Sequence, residues 1–571
     1  MIHINKKTVA DTLAHLLSDF KLEDIESLIE IPPSEIDFTY AVPCFRFAKA
    51  KKKAPEAIAT DLKEKLKNVE YMQNIEVLGP YLNIKIKPNF ILKSIFKLKK
   101  DYGRIQEFQE EAPKKKKRIV IEYPSPNTNK PLHFGHIRNM LLGKSLSNLL
   151  IYLGNTVFQV NLNNDRGIHI CKSMLAYKKW GENRQPDKKS DHFVGDFYVL
   201  YNKRVETEKS LEKEAYELLR KWENGEKDTL KLWKKMNEWA LKGHKKTYDK
   251  LSISFDKEYY ESNLYLKGKE IIKKGVENKI FEELEGGAII ARLKSKYNLE
   301  DKILIRSDGT SIYITQDIFL AYQKKNDFGY DISIYVVGDE QIQHFKWLFA
   351  ILDELGFKGD NYHLSYGMIN LPSGKMKSRE GTVVDADDII EEVEQLAYSE
   401  VNKRYTELND SEKRNRAEII GLAALKFYIL KYSPVKGFTF KPDESISFEG
   451  ETGPYIQYCY ARIQSIIEKS SRKVSTNIKW ELFSHEKEND LINQMAYFPD
   501  IINNVEQTYN IHLIPQYLLT LCQIFNSFYT SCQVISDNKE LEKARLLLIK
   551  CVQIIIKIGL SILDIETLDE M

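Results

Sequence analysis

Residues 119–139, IVIEYPSPNTNKPLHFGHIRN, decide the fold of this chain. Three β-branched apolar residues, Ile119 to Ile121, predict a buried strand, and the prolines and asparagines that follow cannot continue a strand ladder. An apolar pattern at helical spacing then opens at His133 and runs to Leu150. The stretch therefore predicts a strand, a turn and the start of a helix.

The two histidines of this stretch predict a place to hold phosphate. His133 and His136 are three residues apart at the expected helix start, beside free backbone N–H groups and the positive end of the helix dipole. Gly135 between them lets a flat ring approach the backbone. Two ordinary helix-capping histidines behind a proline-rich turn would give the same short pattern, so longer motifs must decide.

The composition bounds the class of protein. A length of 571 residues suggests three or four domains. The 85 basic and 82 acidic residues give a net charge of +3, which by itself does not indicate a nucleic-acid partner. The six cysteines lack metal-ligand spacing, which favours a reducing compartment over structural zinc. With no signal-peptide layout and no apolar run of membrane length, we expect a cytoplasmic protein with no membrane partner.

The fifteen residues 125–139, SPNTNKPLHFGHIRN, carry a resemblance to a known family. HFGH is similar to the HIGH signature of class I aminoacyl-tRNA synthetases, and the longer string resembles its arginyl-tRNA synthetase version. The resemblance implies an α/β fold: a Rossmann-like parallel-sheet catalytic domain with a helical insertion, an N-terminal α+β module and a C-terminal all-α helical bundle.

A second motif lies in residues 301–323. The pattern predicts a strand at ILIR, a tight turn at Asp308-Gly309 and another strand at SIYIT, with Tyr313 and Asp317 where that strand passes into a helix. The resemblance implies that Tyr313 and Asp317 hold a substrate guanidinium, and a planar fork of donors does require a carboxylate. An Asp near a helix start is otherwise a capping residue.

Two further motifs follow. Residues 331–352 predict a strand, a turn and a helix, and the resemblance implies that Gln341 lies near the arginine and His344 on the nucleotide side.

Residues 374–381, GKMKSREG, resemble the KMSKS loop, a mobile clamp for a leaving pyrophosphate. The loop departs from the pattern because Ser378 replaces its second lysine. In the family a lysine before the first signature, here Lys130, is taken to compensate.

The resemblance gives each candidate residue a role. The catalytic set is His133, His136, Lys130 and Lys375. The nucleotide set is Gly135, Asn139, His344, Met376, Lys377, Ser378 and Arg379. The arginine set is Glu122, Asn127, Tyr313, Asp317 and Gln341.

The expected domains follow the same order along the chain. Residues 1–112 form an N-terminal tRNA-contacting module, and 113–390 form the catalytic domain, with a Lys/Glu-rich helical insertion at about 181–262. Residues 391–450 form a helical stem-contact region, and 451–571 form the anticodon-binding bundle. The basic run at 113–118 marks the first boundary and is more simply a solvated linker than an RNA contact.

The implied reaction is ligation of L-arginine to its tRNA in two steps. The arginine carboxylate attacks the α-phosphorus of ATP and releases pyrophosphate, and the terminal ribose hydroxyl of the tRNA then attacks the adenylate and releases AMP. Positioning and charge stabilisation suffice, so no covalent nucleophile is needed. We expect ATP with Mg²⁺ as the substrate complex, no tightly bound cofactor or protein metal site, tRNA(Arg) as partner, and a monomer.

Two alternatives compete with this interpretation. The first is another HIGH-type nucleotidyltransferase or a class I synthetase of different specificity, against which Tyr313 and Asp317 argue. The second is an inactive RNA-binding paralogue, against which the intact His133, His136 and Lys375 argue.

Overall fold

The computed structural model describes residues 4–33, 35–104, 116–310, 313–370 and 384–571. The chain divides into two compact units. One combines Met1–Lys115 with Ser447–Met571, and the other is Lys116–Ile446. No helix in the described ranges is both long and apolar enough to cross a membrane.

The N-terminal part of the first unit is an α+β module, as the resemblance implies. Its elements are α1 (Lys6–Ala14), α2 (Leu22–Leu28), β1 (Tyr40–Pro43), α3 (Ala48–Lys51), α4 (Pro55–Leu66), β2 (Met72–Leu78), β3 (Tyr81–Ile86) and α5 (Pro88–Leu98). The strands β2 and β3 pair antiparallel as a hairpin around Gly79-Pro80, and Gly79 takes a φ of +56° in the turn.

The second unit is built on a five-stranded parallel sheet. The elements of its first half are β4 (Arg118–Glu122), α6 (Phe134–Tyr152), β5 (Thr156–Asn163), α7 (Ile168–Trp180), α8 (Ser190–Thr207), α9 (Ser210–Glu223), α10 (Lys227–Lys250) and β6 (Lys257–Tyr260). The strand, turn and helix predicted from residues 119–139 are thus confirmed.

The second half of this unit completes the sheet and adds a small antiparallel one. Its elements are α11 (Gly268–Glu277), β7 (Glu282–Glu283), β8 (Ile289–Ala291), α12 (Lys294–Tyr297), β9 (Lys302–Ile305), α13 (Tyr313–Phe328), β10 (Ile332–Gly338), α14 (Ile342–Glu354), β11 (Asp360–Tyr366), β12 (Ile369–Asn370), α15 (Ala386–Arg404), α16 (Asp410–Leu430), β13 (Phe438–Thr439) and α17 (Pro442–Ser445).

The strand order of the main sheet is β11-β10-β4-β5-β6, and every neighbouring pair is parallel. The chain starts at β4 in the middle, goes first to β5 and β6 and later to β10 and β11 on the other side. Adjacent β4 and β10 therefore form a topological switch point, where a crevice opens at the carboxyl ends of the strands. The predicted α/β class with a parallel sheet is confirmed.

Two sequence predictions in this unit are wrong. Residues 313–315 do not form a strand but begin α13, while 311 and 312 lie outside the described residues. Ile314, Ile318 and Ala321 are buried at helical spacing, so packing of one helix face overrides the β-branched local preference. Residues 257–260, predicted as helical insertion, are instead strand β6, which pairs with β5.

The C-terminal part of the first unit is a bundle of α18 (Gly453–Lys469), α19 (Glu486–Ala496), α20 (Phe498–Thr508), α21 (Leu513–Ser531) and α22 (Lys539–Ile562). The all-α prediction for this segment is confirmed. It packs against the N-terminal module: Tyr40 Oη donates to Asp500 Oδ2 at 2.8 Å, and Thr39 Oγ1 donates to Asn493 Oδ1 at 2.8 Å.

Candidate active site

A cleft of about 550 Å³ opens at the switch point. Its walls come from the carboxyl ends of β4 and β10, the start of α6 and the first turn of α14. Nine of the residues singled out from the sequence line it: Glu122, Asn127, His133, Gly135, His136, Asn139, Asp317, Gln341 and His344. Residues more than two hundred positions apart in the chain are thus brought to one crevice.

The two signature histidines form a closely packed pair at the start of α6, with their ring planes tilted by 38°. Their ring centroids are 3.8 Å apart, and the backbone N–H of His133 donates to His136 Nδ1 at 3.0 Å. Since Nδ1 accepts, the proton of a neutral His136 ring lies on Nε2. Burial, with Lys130 nearby, lowers the pKa of His133 to about 3, and burial lowers the pKa of His136 well below its usual value. Both rings are therefore neutral hydrogen-bonding groups at neutral pH.

Glu122 enters the cleft as half of a buried ion pair. Its Oε2 lies 2.8 Å from Nζ of Lys324 on α13, and the Lys324 side chain has no exposed surface. The same ammonium donates to Ser333 Oγ at 3.2 Å and lies 3.8 Å from the centroid of the Tyr335 ring. The Glu122 charge is thus compensated from behind the cleft.

Asp317 enters the cleft from α13 and is also partnered. Its Oδ2 lies 2.7 Å from Nε2 of His344 on α14. The two side chains keep 28% and 24% of their surface exposed, so this pair, unlike that of Glu122 and Lys324, is open to solvent.

Asn139 is fixed at the floor of the cleft. Its amide nitrogen donates to the Val336 carbonyl at 2.6 Å and to Tyr366 Oη at 3.1 Å. Its buried Oδ1 finds no hydrogen-bond partner among the described residues and keeps its capacity to accept.

Lys130 lines a second, smaller cavity of about 200 Å³ beside the first, and His133 lines both. Burial lowers the pKa of the Lys130 ammonium, and the Lys130 carbonyl is the partner of His244 Nε2 at 2.9 Å. The close approach of α8 fixes this turn, because a Cβ on Gly195 would lie 2.7 Å from Pro131 Cδ. Lys130 is therefore placed next to the histidine pair but in its own compartment.

The remaining predicted residues are not brought into the cleft by the described structure. Tyr313 is 76% exposed at the first position of α13 and lines neither of these two cavities. Lys375, Met376, Lys377, Ser378 and Arg379 lie in residues 371–383, outside the described residues.

Two basic residues of the site were missed by sequence reasoning. Lys324 is seven residues beyond Asp317 and on the apolar face with Ala321, and a lysine within a buried stripe is a usable signal for a buried partner. Arg138 is 1% exposed, and its guanidinium donates to the carbonyls of residues 367, 433, 434 and 436. Arg138 thus ties α6 to the segments that follow β11 and α16.

A polar group that we name the Asp387 cluster lies near the smaller cavity and comprises Lys189, Asp191, His192, Thr247 and Asp387. Asp191, His192 and Asp387 offer three atoms within 4.8 Å of one another, a spacing that suits a metal ion. The Lys189 ammonium contacts both carboxylates, at 3.0 Å from Asp191 and 2.5 Å from Asp387, and supplies the positive charge. The cluster therefore links α8 and α10 to the start of α15.

The parallel sheet and the paired histidines at a helix start define a class I tRNA synthetase catalytic domain. The family described as "tRNA synthetases class I (R), catalytic domain" matches residues 103–441. The arginyl tRNA synthetase N-terminal domain family matches residues 4–86, and the DALR anticodon-binding domain family matches residues 456–571.

Curated relatives and solved structures agree with these families. The chain is 41% identical to the arginine–tRNA ligase of Treponema denticola over 99% of both chains, and 40% identical to that of Porphyromonas gingivalis over 96% of both. The arginyl-tRNA synthetase of Thermus thermophilus shares the fold with a TM-score of 0.85 at 23% identity over all of both chains. This chain belongs to the arginyl-tRNA synthetase family, as its signature predicts.

Proposed function

We propose that the protein ligates L-arginine to its cognate tRNA, with ATP as the source of activation. The observation that carries the proposal is the cleft at the switch point, which joins the neutral histidine pair to two carboxylates, Glu122 and Asp317. The first group suits phosphate and the second suits a cation with several N–H donors. A nucleoside triphosphate suits the histidine pair, and an amino acid with a guanidinium suits the carboxylates.

The arginine end is proposed to use Glu122, Asn127, Asp317 and Gln341, with Tyr313 joining from the start of α13. Citrulline is neutral at the same position and offers no positive charge to these carboxylates, so the pocket should reject it. A lysine substrate would lack the planar fork that two carboxylates can share.

The nucleotide end is proposed to use Gly135, Asn139 and His344 together with the loop residues Met376, Lys377, Ser378 and Arg379. In the first step an arginine carboxylate oxygen bonds to the α-phosphorus and the bond to pyrophosphate breaks. His133 and His136, held neutral, donate to the phosphate oxygens as charge builds, while Lys130 and Lys375 hold the β- and γ-phosphates. In the second step the tRNA ribose oxygen replaces AMP at the carbonyl carbon.

Magnesium is proposed to arrive with ATP and to be held by its phosphates. The partner tRNA is proposed to contact the N-terminal module and the C-terminal bundle. A cytoplasmic location is supported by the six cysteines, all buried and none in a disulfide. We also propose that the protein acts as a monomer, which light scattering of the purified chain tests.

ATP–pyrophosphate exchange tests the proposal. We expect exchange that requires L-arginine and is promoted by the cognate tRNA transcript, and we expect it to collapse in Asp317→Ala. Exchange driven by another amino acid would contradict the arginine pocket. Tight tRNA binding without exchange for any amino acid would favour an RNA-binding paralogue instead.

A further inference from the structure

The turn that leads into α6 is paired along its backbone with the segment that starts α15. Two backbone hydrogen bonds join them: the Phe134 N–H donates to the Val384 carbonyl at 3.1 Å, and the Ala386 N–H donates to the Leu132 carbonyl at 3.0 Å. Between these bonds His133 and Asp385 face each other as an antiparallel bridge. A displacement of residues 384–386 is therefore passed directly to the first signature histidine.

Two helices of the insertion hold the same turn from its other side. His244 on α10 is fully buried, and its Nε2 donates to the Lys130 carbonyl at 2.9 Å. On α8, the absence of a side chain at Gly195 leaves room for Pro131, since a Cβ there would lie 2.7 Å from the proline Cδ. The backbone at Lys130 is thus fixed by α8 and α10.

Lys189, which directly precedes α8, joins these two supports. Its ammonium lies 3.0 Å from Asp191 Oδ2 on α8 and 2.5 Å from Asp387 Oδ2 on α15, and it donates to Thr247 Oγ1 on α10 at 2.7 Å. The Thr247 hydroxyl in turn donates to Asp387 Oδ1 at 2.9 Å. One ammonium therefore bridges the three helices that hold the turn.

The same ammonium compensates two carboxylates at once. The Asp191 side chain has no exposed surface, and that of Asp387 is 30% exposed. His192 Nε2 donates to Asp387 Oδ2 at 2.8 Å and lies 3.5 Å from Asp385 Oδ2, so it strengthens the α15 side of the cluster. Without Lys189, Asp191 would be a buried charge opposite a second acid, which is costly and would push α8 and α15 apart.

We propose that Lys189 is a positioning residue for ATP. Through the Asp387 cluster it locks α8, α10 and the start of α15 around the turn that presents Lys130 and His133 to the phosphates. This inference rests on the proposed function, in which Lys130 and His133 act on ATP. It gives the helical insertion a part in the first step of the reaction.

The arginine side of the cleft is held by different contacts. Glu122 on β4 accepts from Lys324, and Asp317 on α13 accepts from His344. Loss of Lys189 should therefore affect the two substrates unequally. Because a misplacement of about 1 Å can cost about 10²-fold in rate, we expect Lys189→Met to raise the KM for ATP about tenfold and to lower kcat about tenfold. The KM for arginine should stay within about twofold of wild type.

The test is ATP–pyrophosphate exchange with saturating cognate tRNA in the wild type, Lys189→Met, Lys189→Arg and Lys203→Met. Lys189→Arg keeps a cation with several donors and should restore most of the affinity for ATP. Lys203→Met removes an exposed lysine from the same helix α8 and should match the wild type. An unchanged KM for ATP in Lys189→Met overturns the proposal. Equal rises in the KM values for ATP and arginine overturn it as well, because they would show a general loss of structure.

Amide hydrogen exchange, followed by mass spectrometry on the substrate-free protein, tests the positioning without activity. In Lys189→Met we expect exchange about tenfold faster in peptides that cover 132–136 and 384–387, and unchanged exchange in β10. If Lys189→Met does not fold, Thr247→Val takes its place, since it keeps both carboxylates and the ammonium and should give a smaller change of the same kind.

Unchanged exchange at 132–136 in the folded variant overturns the proposal. Failure of the proposed function gives a different result. The wild type would then show no arginine-dependent pyrophosphate exchange, while the faster amide exchange of the variant would still be seen.

Discussion

Single residues set the electrostatic character of the cleft. The signature histidines are neutral because they are buried next to Lys130, and His136 is held in one tautomer by the backbone N–H of His133. A neutral imidazole donates one hydrogen bond and accepts another, so this pair serves as oriented donors rather than as fixed cations.

Replacing His136 by alanine removes one of those donors. Loss of a donor aimed at developing charge costs roughly 3–4 kcal/mol of barrier, so we expect kcat for aminoacylation to fall by about 10²- to 10³-fold. His15→Ala, an exposed histidine at the end of α1, serves as the control and should keep wild-type kcat. A His136→Ala enzyme within threefold of wild type would rule out this role.

Replacing Lys324 by methionine leaves Glu122 without its buried partner. Breaking such a pair costs about 3–5 kcal/mol, so we expect a lower melting temperature and, because the Glu122 side chain is then no longer held in place by the ammonium, a KM for arginine at least tenfold higher. Lys346→Met removes the same charge from an exposed position on α14 and should change neither quantity. Unchanged arginine kinetics in Lys324→Met would show that Glu122 does not depend on this ammonium.

How far the site could be predicted depends on which kind of signal each residue gives. His133, Gly135 and His136 carry a local pattern, since their spacing alone puts them at a helix start. The pairing of Glu122 with Lys324 joins residues 202 positions apart, and no local spacing encodes it. The contact of Asp317 with His344 likewise depends on how α13 and α14 pack.

At the scale of elements, the least successful prediction is the most instructive. Tyr313 to Thr315 are residue types that favour strands, yet they begin α13 because Ile314, Ile318 and Ala321 bury one helical face. β10 and α14, by contrast, follow the predicted strand, turn and helix, since the apolar residues 334–337 end at Gly338 and a 3.6-residue pattern follows. Strand order arises from packing and could not be obtained from periodicity.

The Asp387 cluster joins elements that are distant in the chain, and it should add measurable stability. The Asp387 carboxylate accepts from His192, Lys189 and Thr247, which together hold its pKa at about 2, against burial that opposes them. Because the folded pKa is below the unfolded one, this contribution is present at neutral pH and is lost as the pH falls through about 4 towards 2.

Asp387→Asn should therefore lower the melting temperature at pH 7 by a few degrees, equivalent to about 1–2 kcal/mol. Asp388→Asn removes an exposed carboxylate from the same first turn of α15 and should leave it unchanged. Thermal unfolding of both variants at pH 7 makes the comparison, and equal melting temperatures would show that the cluster adds no stability.

At the scale of the whole molecule, two distant segments share one unit. Asp500 accepts from Tyr40 Oη at 2.8 Å and from the backbone N–H of Lys6 at 3.1 Å. Burial raises the pKa of this carboxyl to about 6, so the folded unit binds a proton more tightly than the unfolded chain. Its contribution is therefore greatest below the unfolded pKa and is lost as pH rises through about 6.

Asp500→Asn should flatten this pH dependence. Between pH 5 and pH 7.5 we expect the wild-type unit to lose about 1.4 kcal/mol from this group, a few degrees in melting temperature, and the variant to lose less. Asp537→Asn, an exposed acid outside the contact, is the control and should follow the wild type. Parallel curves for wild type and Asp500→Asn would contradict a buried, weakly ionised carboxyl.

The strand order of the main sheet determines when its parts can pair during translation. β4 leaves the ribosome long before β10, its neighbour in the register Ile119 to Ile332, so the crevice between them cannot exist on the first half of a nascent chain. The contacts between the N-terminal module and the helical bundle form later still. Tyr40 and Thr39 can bond to Asp500 and Asn493 only when the helical bundle has been translated. A chain that terminates before α19 therefore lacks both of these contacts, and one that terminates before β10 also lacks the cleft at the switch point.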